Sequence, residues 1–207
     1  MNCARIKYAI WMILGGIILV CGLQYTIQYQ AQQQLQKQLA EKVIRFHVLA
    51  NSDTPEDQAL KLCVRDAIGS YVQNELPETE SKGACRELML AHLEDIEEVA
   101  SDVICDKGYS YEVTASLTDC EFPTKTYGDY TFPAGTYEAL RVVIGEGAGA
   151  NWWCVMYPNM CFENSIYEVV DDNAKEALRK VLDEEEYEAV FSSGKYEIRL
   201  RFLEWFK

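Results

Sequence analysis

Eight cysteines and two histidines are the side chains of this sequence that could carry out nucleophilic or metal chemistry. A zinc site would need closely spaced ligands such as Cys-x-x-Cys or His-x-x-x-His, and neither spacing occurs. A cysteine nucleophile would need an activating base, for which only His47 and His92 are available. His47 lies on the polar side of a predicted strand and His92 in the middle of a predicted helix, where a solvated or capped imidazole is expected. We therefore predict no catalytic residue, no metal ion and no cofactor.

Two further patterns superficially suggest ligand sites. Gly145, Gly147 and Gly149 alternate as in a phosphate-binding loop, but no Gly-Lys-Ser/Thr follows them. We predict instead that they let the backbone turn and approach another segment closely. The acidic run 183–186 lacks the alternating oxygen ligands and the glycine of a calcium loop, which predicts a solvated helix face.

Cys154 and Cys161 are separated by six residues with a Pro-Asn pair in the middle. In an oxidising compartment this spacing favours a disulfide-closed hairpin, which would restrict the unfolded chain by about 2.5 kcal/mol. For four other cysteines two alternatives stay open, pairing among themselves or buried free thiols. These are Cys63, Cys85, Cys105 and Cys120.

Trp152 and Trp153 precede Cys154, and their orientation depends on whether this segment is a strand. Successive side chains of a strand point to opposite faces, so one tryptophan can enter the core while the other faces outward. An outward tryptophan beside a disulfide hairpin would anchor a protein partner or form a platform for a sugar ring. Packing of both tryptophans in the core is the alternative.

The amino-terminal part of the chain has the layout of an export signal. Arg5 and Lys7 precede the uncharged stretch 8–23, and the next positive charge is Lys37. Sixteen helical residues span roughly 24 Å, and continuation through residue 27 would reach about 30 Å, the thickness of the bilayer core. We predict that positive charge before the segment keeps the amino terminus in the cytoplasm and sends the rest of the chain outside.

Three regions follow from this layout. Residues 1–23 are predicted to be a signal peptide or an uncleaved signal anchor, and in the second case residues 8–27 would hold the protein in the membrane. Residues 24–42 are dominated by glutamine and are predicted to be a tether or a weak helical stalk. Residues 43–207 are predicted to form one exported domain.

Charge is distributed unevenly between these regions. The whole chain of 207 residues carries a net charge of −14, and residues 1–42 contribute +3, so residues 43–207 carry −14 − 3 = −17. Phosphate contacts need a surplus of Lys and Arg, so this balance argues against nucleic-acid binding and against anionic lipid headgroups.

Hydrophobic periodicity predicts the elements of the exported domain. A strand at 43–50, with Arg45 and His47 on its polar side, is followed by helices at 55–76 and 80–104. The remaining predicted segments are strands at 109–117 and 136–144, a hairpin at 154–161, a helix at 171–188 and a strand at 196–202. This order predicts an α+β domain with a mainly antiparallel sheet and helices packed on one face.

Several blocks of the sequence strongly resemble the stage II sporulation protein R family, and they occur in the family's order. They are residues 44–53, 122–128, 132–139 and 149–158, followed by Cys161-Phe162. The block that contains Asn151-Trp152-Trp153-Cys154 is the most specific of them.

The resemblance implies a role in endospore formation. Family members are made in the forespore, exported into the space between forespore and mother cell, and trigger a membrane-embedded aspartic protease that removes the pro-sequence of sigma-E. They are signals and not enzymes, which agrees with the missing catalytic constellation. On this basis we expect the protease to be the partner and predict the contact surface to include Asn151, Trp152, Trp153, Phe122, Tyr127 and the Cys154–Cys161 loop.

A second class of function is an extracytoplasmic module that binds or hydrolyses peptidoglycan. It depends on the predicted location and on an exposed tryptophan. Its weakness is that no acid–base pair of side chains can be named.

Overall fold

The computed structural model describes residues 2–160 and 172–193. Their order is a long helix, a strand, three helices, five strands and two helices. In chain order the elements are α1 (Asn2–Lys42), β1 (Ile44–Leu49), α2 (Pro55–Glu75), α3 (Lys82–Ala91), α4 (Leu93–Asp106), β2 (Val113–Phe122), β3 (Lys125–Tyr127), β4 (Tyr130–Phe132), β5 (Gly135–Ile144), β6 (Asn151–Tyr157), α5 (Asp172–Val181) and α6 (Glu184–Ser193). The predicted strand 196–202 lies outside the described residues.

Four strands form the main sheet in the order β2-β5-β1-β6. β2 runs antiparallel to β5, β1 runs parallel to β5, and β6 runs antiparallel to β1. Strands β3 and β4 form a separate hairpin. The predicted α+β class with a mainly antiparallel sheet is therefore confirmed.

Helices α2, α3 and α4 cover one face of the sheet. The apolar side chains of α2 recur at helical spacing, so Leu60, Val64 and Ile68 all face the sheet and are buried. They pack with α4 against Phe46 and Val48 of β1, among other buried residues. Helix α2 begins where the sequence predicts, because the Thr54 side chain accepts the backbone N–H of Asp57 and Pro55 occupies the first turn.

The predicted helix 80–104 is two helices, which corrects one expectation. The chain leaves helical geometry at His92, whose φ and ψ are −111° and 16°. There the His92 Nδ1 lies 2.9 Å from the Tyr71 hydroxyl and 2.7 Å from the Asp95 carboxylate. A local hydrogen-bonded cluster thus occupies the break between α3 and α4.

The opposite face of the sheet is also covered over part of its area. The end of α1, the β3–β4 hairpin, α5 and α6 pack there around a second group of buried residues, which includes Leu39, Phe132, Leu178 and Val190. A strand in the middle of such a sheet is buried on both faces, and β1 is buried along nearly its whole length. The prediction that Arg45 and His47 lie on a wet face is therefore wrong, because the alternation of residue types does not show how many layers cover a strand.

Helix α1 continues without a break through the predicted tether and ends inside the domain. Leu39 is fully buried, the Gln36 amide donates to the Thr136 carbonyl at 2.6 Å, and Lys42 pairs with Glu186 at 2.5 Å. Gly135, with φ of 150°, leaves room for Gln36, since a Cβ there would lie 2.6 Å from its side-chain carbons. The last two turns of α1 are therefore part of the second packed layer.

The first part of α1 is the one described helix that is long and apolar enough to cross a membrane. Its large apolar side chains are exposed, with Trp11 and Met12 more than 70% accessible. This arrangement is compatible with a signal peptide or a membrane anchor.

Candidate functional site

Strand register places four side chains in one row across the second face of the sheet. Ser116 of β2 lies opposite Arg141 of β5, Arg141 opposite His47 of β1, and His47 opposite Trp153 of β6. Residues that are paired across adjacent strands point to the same side of the sheet. The row therefore joins His47 and Trp153, which the sequence analysis names as candidates, with Ser116 and Arg141, which it does not name.

The cover of the second face ends at this row. In the preceding row Ala139, Arg45 and Val155 are fully buried and Thr118, on the edge strand β2, is exposed, whereas in this row Arg141 and Trp153 are only half-buried. The following row is likewise half-buried or exposed and consists of Thr114, Val143, Leu49 and Asn151. We call these two rows, the one from Ser116 to Trp153 and the one from Thr114 to Asn151, the open rows.

Trp153 is held in a fixed orientation within the open rows. Its ring stacks on the His47 imidazole with centroids 4.9 Å apart and 8° between the planes. The Phe122 ring meets it edge-on at 4.7 Å and 62°. An aromatic side chain fixed in this way loses little conformational entropy when a partner covers it, which is typical of an interface anchor.

His47 is buried below Trp153, with 4% of its surface accessible. Neither ring nitrogen has a hydrogen-bond partner among the described residues. Burial, together with the positive charges of Arg141 and Arg45, lowers the pKa of His47 to about 4. The imidazole is therefore neutral at pH 7 and is neither solvated nor capped.

Arg45 is fully buried in a box of aromatic rings. Its guanidinium carbon lies 4.4 Å from the ring centroid of Phe122, and two more rings stand at 5.1 Å, those of Phe132 and Tyr137. Nε donates to the Cys154 carbonyl at 2.9 Å and Nη2 to the Tyr127 hydroxyl at 3.0 Å. Burial lowers its pKa, so the ring faces and the two acceptors must stabilise a charge that no described carboxylate pairs with.

Phe122 and Tyr127 thus support the site from below. Phe122 is 2% exposed and contacts both Arg45 and Trp153. Tyr127 is half-buried and accepts its hydrogen bond from Arg45. In these positions they hold other side chains in place and present little surface of their own.

Trp152 lies on the opposite face of β6 from Trp153. Its ring meets Phe46 edge-on at 5.5 Å, and the Arg65 guanidinium lies 5.0 Å from its ring centroid. Each tryptophan borders a different core, and both are half-buried. The sequence correctly predicts opposite faces, whereas the expected contrast between one buried and one exposed ring is absent.

The loop between β5 and β6 is bound to the end of β1. Backbone N–H groups of Ala148 and Gly149 donate to the carbonyls of Asn51 and Ala50, at 3.1 and 3.0 Å. The Asn51 side chain accepts the Glu146 N–H at 3.0 Å. These contacts fix the point at which β6 begins, and therefore the position of Asn151 and the tryptophans.

Glycine is required in that loop for close approach, as predicted. Gly145 and Gly147 have positive φ of 55° and 60°. A Cβ on Gly149 would lie 2.2 Å from the Ser52 carbonyl oxygen. The three glycines therefore serve backbone packing.

Cysteine pairing is described for six positions. Cys154 is disulfide-bonded, and its predicted partner Cys161 lies outside the described residues, so that pairing stays a prediction. The thiols of the other five are free, and burial raises the pKa of the Cys85 thiol to about 11. The five are Cys21, Cys63, Cys85, Cys105 and Cys120.

Within 2–160 and 172–193, no group of three His, Cys, Asp or Glu side chains is arranged to hold a metal ion.

Comparison with known proteins gives a direct match to one family. The model of the stage II sporulation protein R family matches residues 40–167, which is more than half of the chain.

The chain belongs to the stage II sporulation protein R family. One curated relative, "Stage II sporulation protein R" of Bacillus subtilis (strain 168), is 34% identical over 145 residues. This match covers 70% of the present chain and 62% of the relative. No solved structure matches.

The blocks that resemble this family contain the β1 and β6 members of the open rows. Residues 44–53 form β1 and the Asn51 segment, residues 132–139 end β4 and begin β5, and residues 149–158 form β6. Arg141 was not predicted as a site residue, although a charge between Leu140 and Val142 in an apolar strand was a visible signal. Its place beside His47 depends on strand register, which one sequence does not reveal.

Proposed function

We propose that this protein is an exported sporulation signal that activates a membrane-embedded aspartic protease, which then matures pro-sigma-E in the mother cell. The observation that carries the proposal is membership of the stage II sporulation protein R family. The resemblance implies the protease, the sigma factor and the space between forespore and mother cell as the site of action. We infer that the chain acts by binding and is not itself an enzyme.

An activating ligand must bind the active state of its target more tightly than the inactive state. A surface that is already fixed loses less conformational entropy on binding, so more of its contact energy is available for this discrimination. Trp153 is already fixed because the His47 and Phe122 rings hold it in place. We infer that Trp153 and Asn151 contact the protease from the second face and that Trp152 contacts it from the other side of β6.

The test is co-expression of pro-sigma-E, the protease and either the wild-type protein or a variant. Trp153→Ala should slow processing of pro-sigma-E by at least about tenfold, as expected of a central aromatic anchor. Leu90→Ala, at a position that is 42% exposed and belongs to neither buried core, serves as the control. Full processing by folded Trp153→Ala and Trp152→Ala proteins would exclude this contact surface, and absence of processing with the wild type would exclude the function.

Export is the second part of the proposal. The apolar part of α1 and the positive charges before it support translocation of the domain across the forespore membrane. The intact mass of the exported protein, with and without reductant, reports both signal cleavage and the number of disulfides. We expect one disulfide, Cys154–Cys161, and a mass increase of about 2 Da on reduction, since each of the two sulfur atoms gains one hydrogen atom from the reductant.

A peptidoglycan-binding module is the alternative, and the half-exposed Trp153 ring is the observation that favours it. Binding to purified peptidoglycan that is lost in Trp153→Ala, while pro-sigma-E processing stays intact, would support the alternative. The alternative would be excluded if the wild type does not bind peptidoglycan and Trp153→Ala loses pro-sigma-E processing.

A further inference from the structure

Arg141 is a half-buried cation that no described residue neutralises. It takes part in none of the ion pairs formed within 2–160 and 172–193. Strand register explains why Arg141 has no ion-pair partner. The residues opposite it are Ser116 and His47, and His47 is neutral. Its neighbours in the rows on either side are also without acidic groups, namely Thr114, Val143, Leu49, Thr118, Ala139 and Arg45.

This positive position is unusual in a domain so acidic. Residues 43–207 carry −17, as calculated above from a chain total of −14. Of the other cations on the second face, Lys42 is paired with Glu186, and Arg45 is fully buried among aromatic rings. One cation does not offset the repulsion that so acidic a domain exerts on a polyanion, but its guanidinium can donate two hydrogen bonds to a single carboxylate.

The surroundings of Arg141 are those of an interface centre. Trp153 lies in the same row, two strands away, and is fixed by stacking. The Oδ1 atom of Asn151, in the next row, is buried and accepts no hydrogen bond from the described residues. A cation, an immobile aromatic ring and an unused acceptor therefore share one face.

We propose that the open rows bind a segment of a partner protein that carries one carboxylate side chain, with this carboxylate on Arg141 and the adjoining side chain packed against Trp153. The inference rests on the proposed function, since the partner expected there is the extracytoplasmic part of the protease. Charge complementarity selects a protein carboxylate over nucleic acid or an anionic membrane, both of which the −17 of the domain disfavours.

The first experiment measures binding of the full-length protein to membrane vesicles that carry the protease, against vesicles without it. Arg141→Gln removes the charge and keeps most of the volume, and it should weaken binding at least about tenfold and reduce its salt dependence. Arg86→Gln is the matched control, because Arg86 is half-exposed on α3 and pairs with Glu138. Thermal unfolding of each variant verifies the fold.

A second variant leaves Arg141 in place. Ser116→Glu puts a carboxylate directly opposite Arg141 and should occupy it, so binding and pro-sigma-E processing should fall as in Arg141→Gln. Equal binding by the wild type, Arg141→Gln and Ser116→Glu would overturn the inference while leaving the proposed function intact. Absence of binding and processing by the wild type would overturn both, and loss of peptidoglycan binding alone in these variants would assign the surface to a glycan.

Discussion

Trp153 covers His47 in a nearly parallel stack, with ring centroids 4.9 Å apart. The stack joins the edge strand β6 to the central strand β1, and it separates an unpartnered imidazole from solvent. The same ring thus has two roles, because it seals the core on one side and forms half-exposed surface on the other. Each role predicts a different measurement.

Replacing Trp153 should change the titration of His47. Trp153→Ala lets water reach the imidazole, so the pKa of His47 should rise from about 4 toward its ordinary value of 6.5. An NMR pH titration of the His47 ring protons measures this. Trp152→Ala is the control, since Trp152 lies on the other face and should leave the pKa unchanged.

The buried His47 should also make the free energy of unfolding depend on pH. The folded pKa lies near 4 and the unfolded value is 6.5. The full stability is present above pH 6.5, falls as the pH decreases because the unfolded chain takes up a proton first, and levels off below pH 4. The loss should approach about 3 kcal/mol.

Urea unfolding at a series of pH values tests this dependence. His47→Leu should flatten the curve between pH 6.5 and 4 relative to the wild type. An identical slope in both proteins would show that His47 titrates normally in the folded state.

Arg45 is predicted not to tolerate lysine. A lysine keeps the charge but cannot reach the Cys154 carbonyl and the Tyr127 hydroxyl together, nor cover the same ring faces. Arg45→Lys should therefore lower the free energy of unfolding by about 2–4 kcal/mol, measured by urea denaturation. Arg86→Lys, at a side chain that is 50% exposed, should change it by less than about 1 kcal/mol.

Two glycine-to-alanine changes should have opposite effects. In Gly149→Ala the new methyl group would meet the Ser52 backbone 2.2 Å away, so we expect a loss of at least about 2 kcal/mol and separation of the β5–β6 loop from Asn51. Gly83→Ala lies in the first turn of α3, where the new methyl group would meet only the Ser81 Oγ atom at an ordinary contact distance of 4.0 Å, and alanine should stabilise by about 0.5–1 kcal/mol. Thermal unfolding of both variants measures these effects, and equal shifts of the midpoint temperature would contradict the packing described for the loop.

The end of α1 should contribute to the stability of the domain. Leu39 is fully buried in the second core, so Leu39→Ala should lower the free energy of unfolding by about 2–5 kcal/mol. Leu90→Ala removes the same atoms from an exposed position and should have little effect. Equal stability of the two variants would mean that α1 ends outside the folded domain.

Local patterns predicted the elements better than they predicted the layers. The alternation of β1 and the apolar pairs of α2 gave both elements to within two residues. The same alternation suggested a wet side for β1, because Arg45 and His47 are polar types, and only the packing of the hairpin and α1 shows that this side is buried. The break at His92 coincides with its hydrogen bonds to Tyr71 and Asp95, which no helical periodicity reveals.

The candidate site was predictable in part for the same reason. Trp152, Trp153 and the glycine loop are local signals, and their opposite faces and tight turns follow from short-range geometry. The row from Ser116 to Trp153 combines four strands whose order is not their chain order. Arg141 could therefore be noticed in the sequence but could not be placed beside Trp153.

Helix α1 has 41 residues and continues from the apolar segment into the second core. In a protein that retains the segment in the bilayer, such a rod transmits rotation: one residue inserted at 28–34 would turn the domain by about 100° about the helix axis and raise it by about 1.5 Å. Insertions of one, two or four residues would then turn the open rows to different angles about the helix axis. If pro-sigma-E processing varies with this rotation angle and not with the number of inserted residues, α1 orients the domain toward its target.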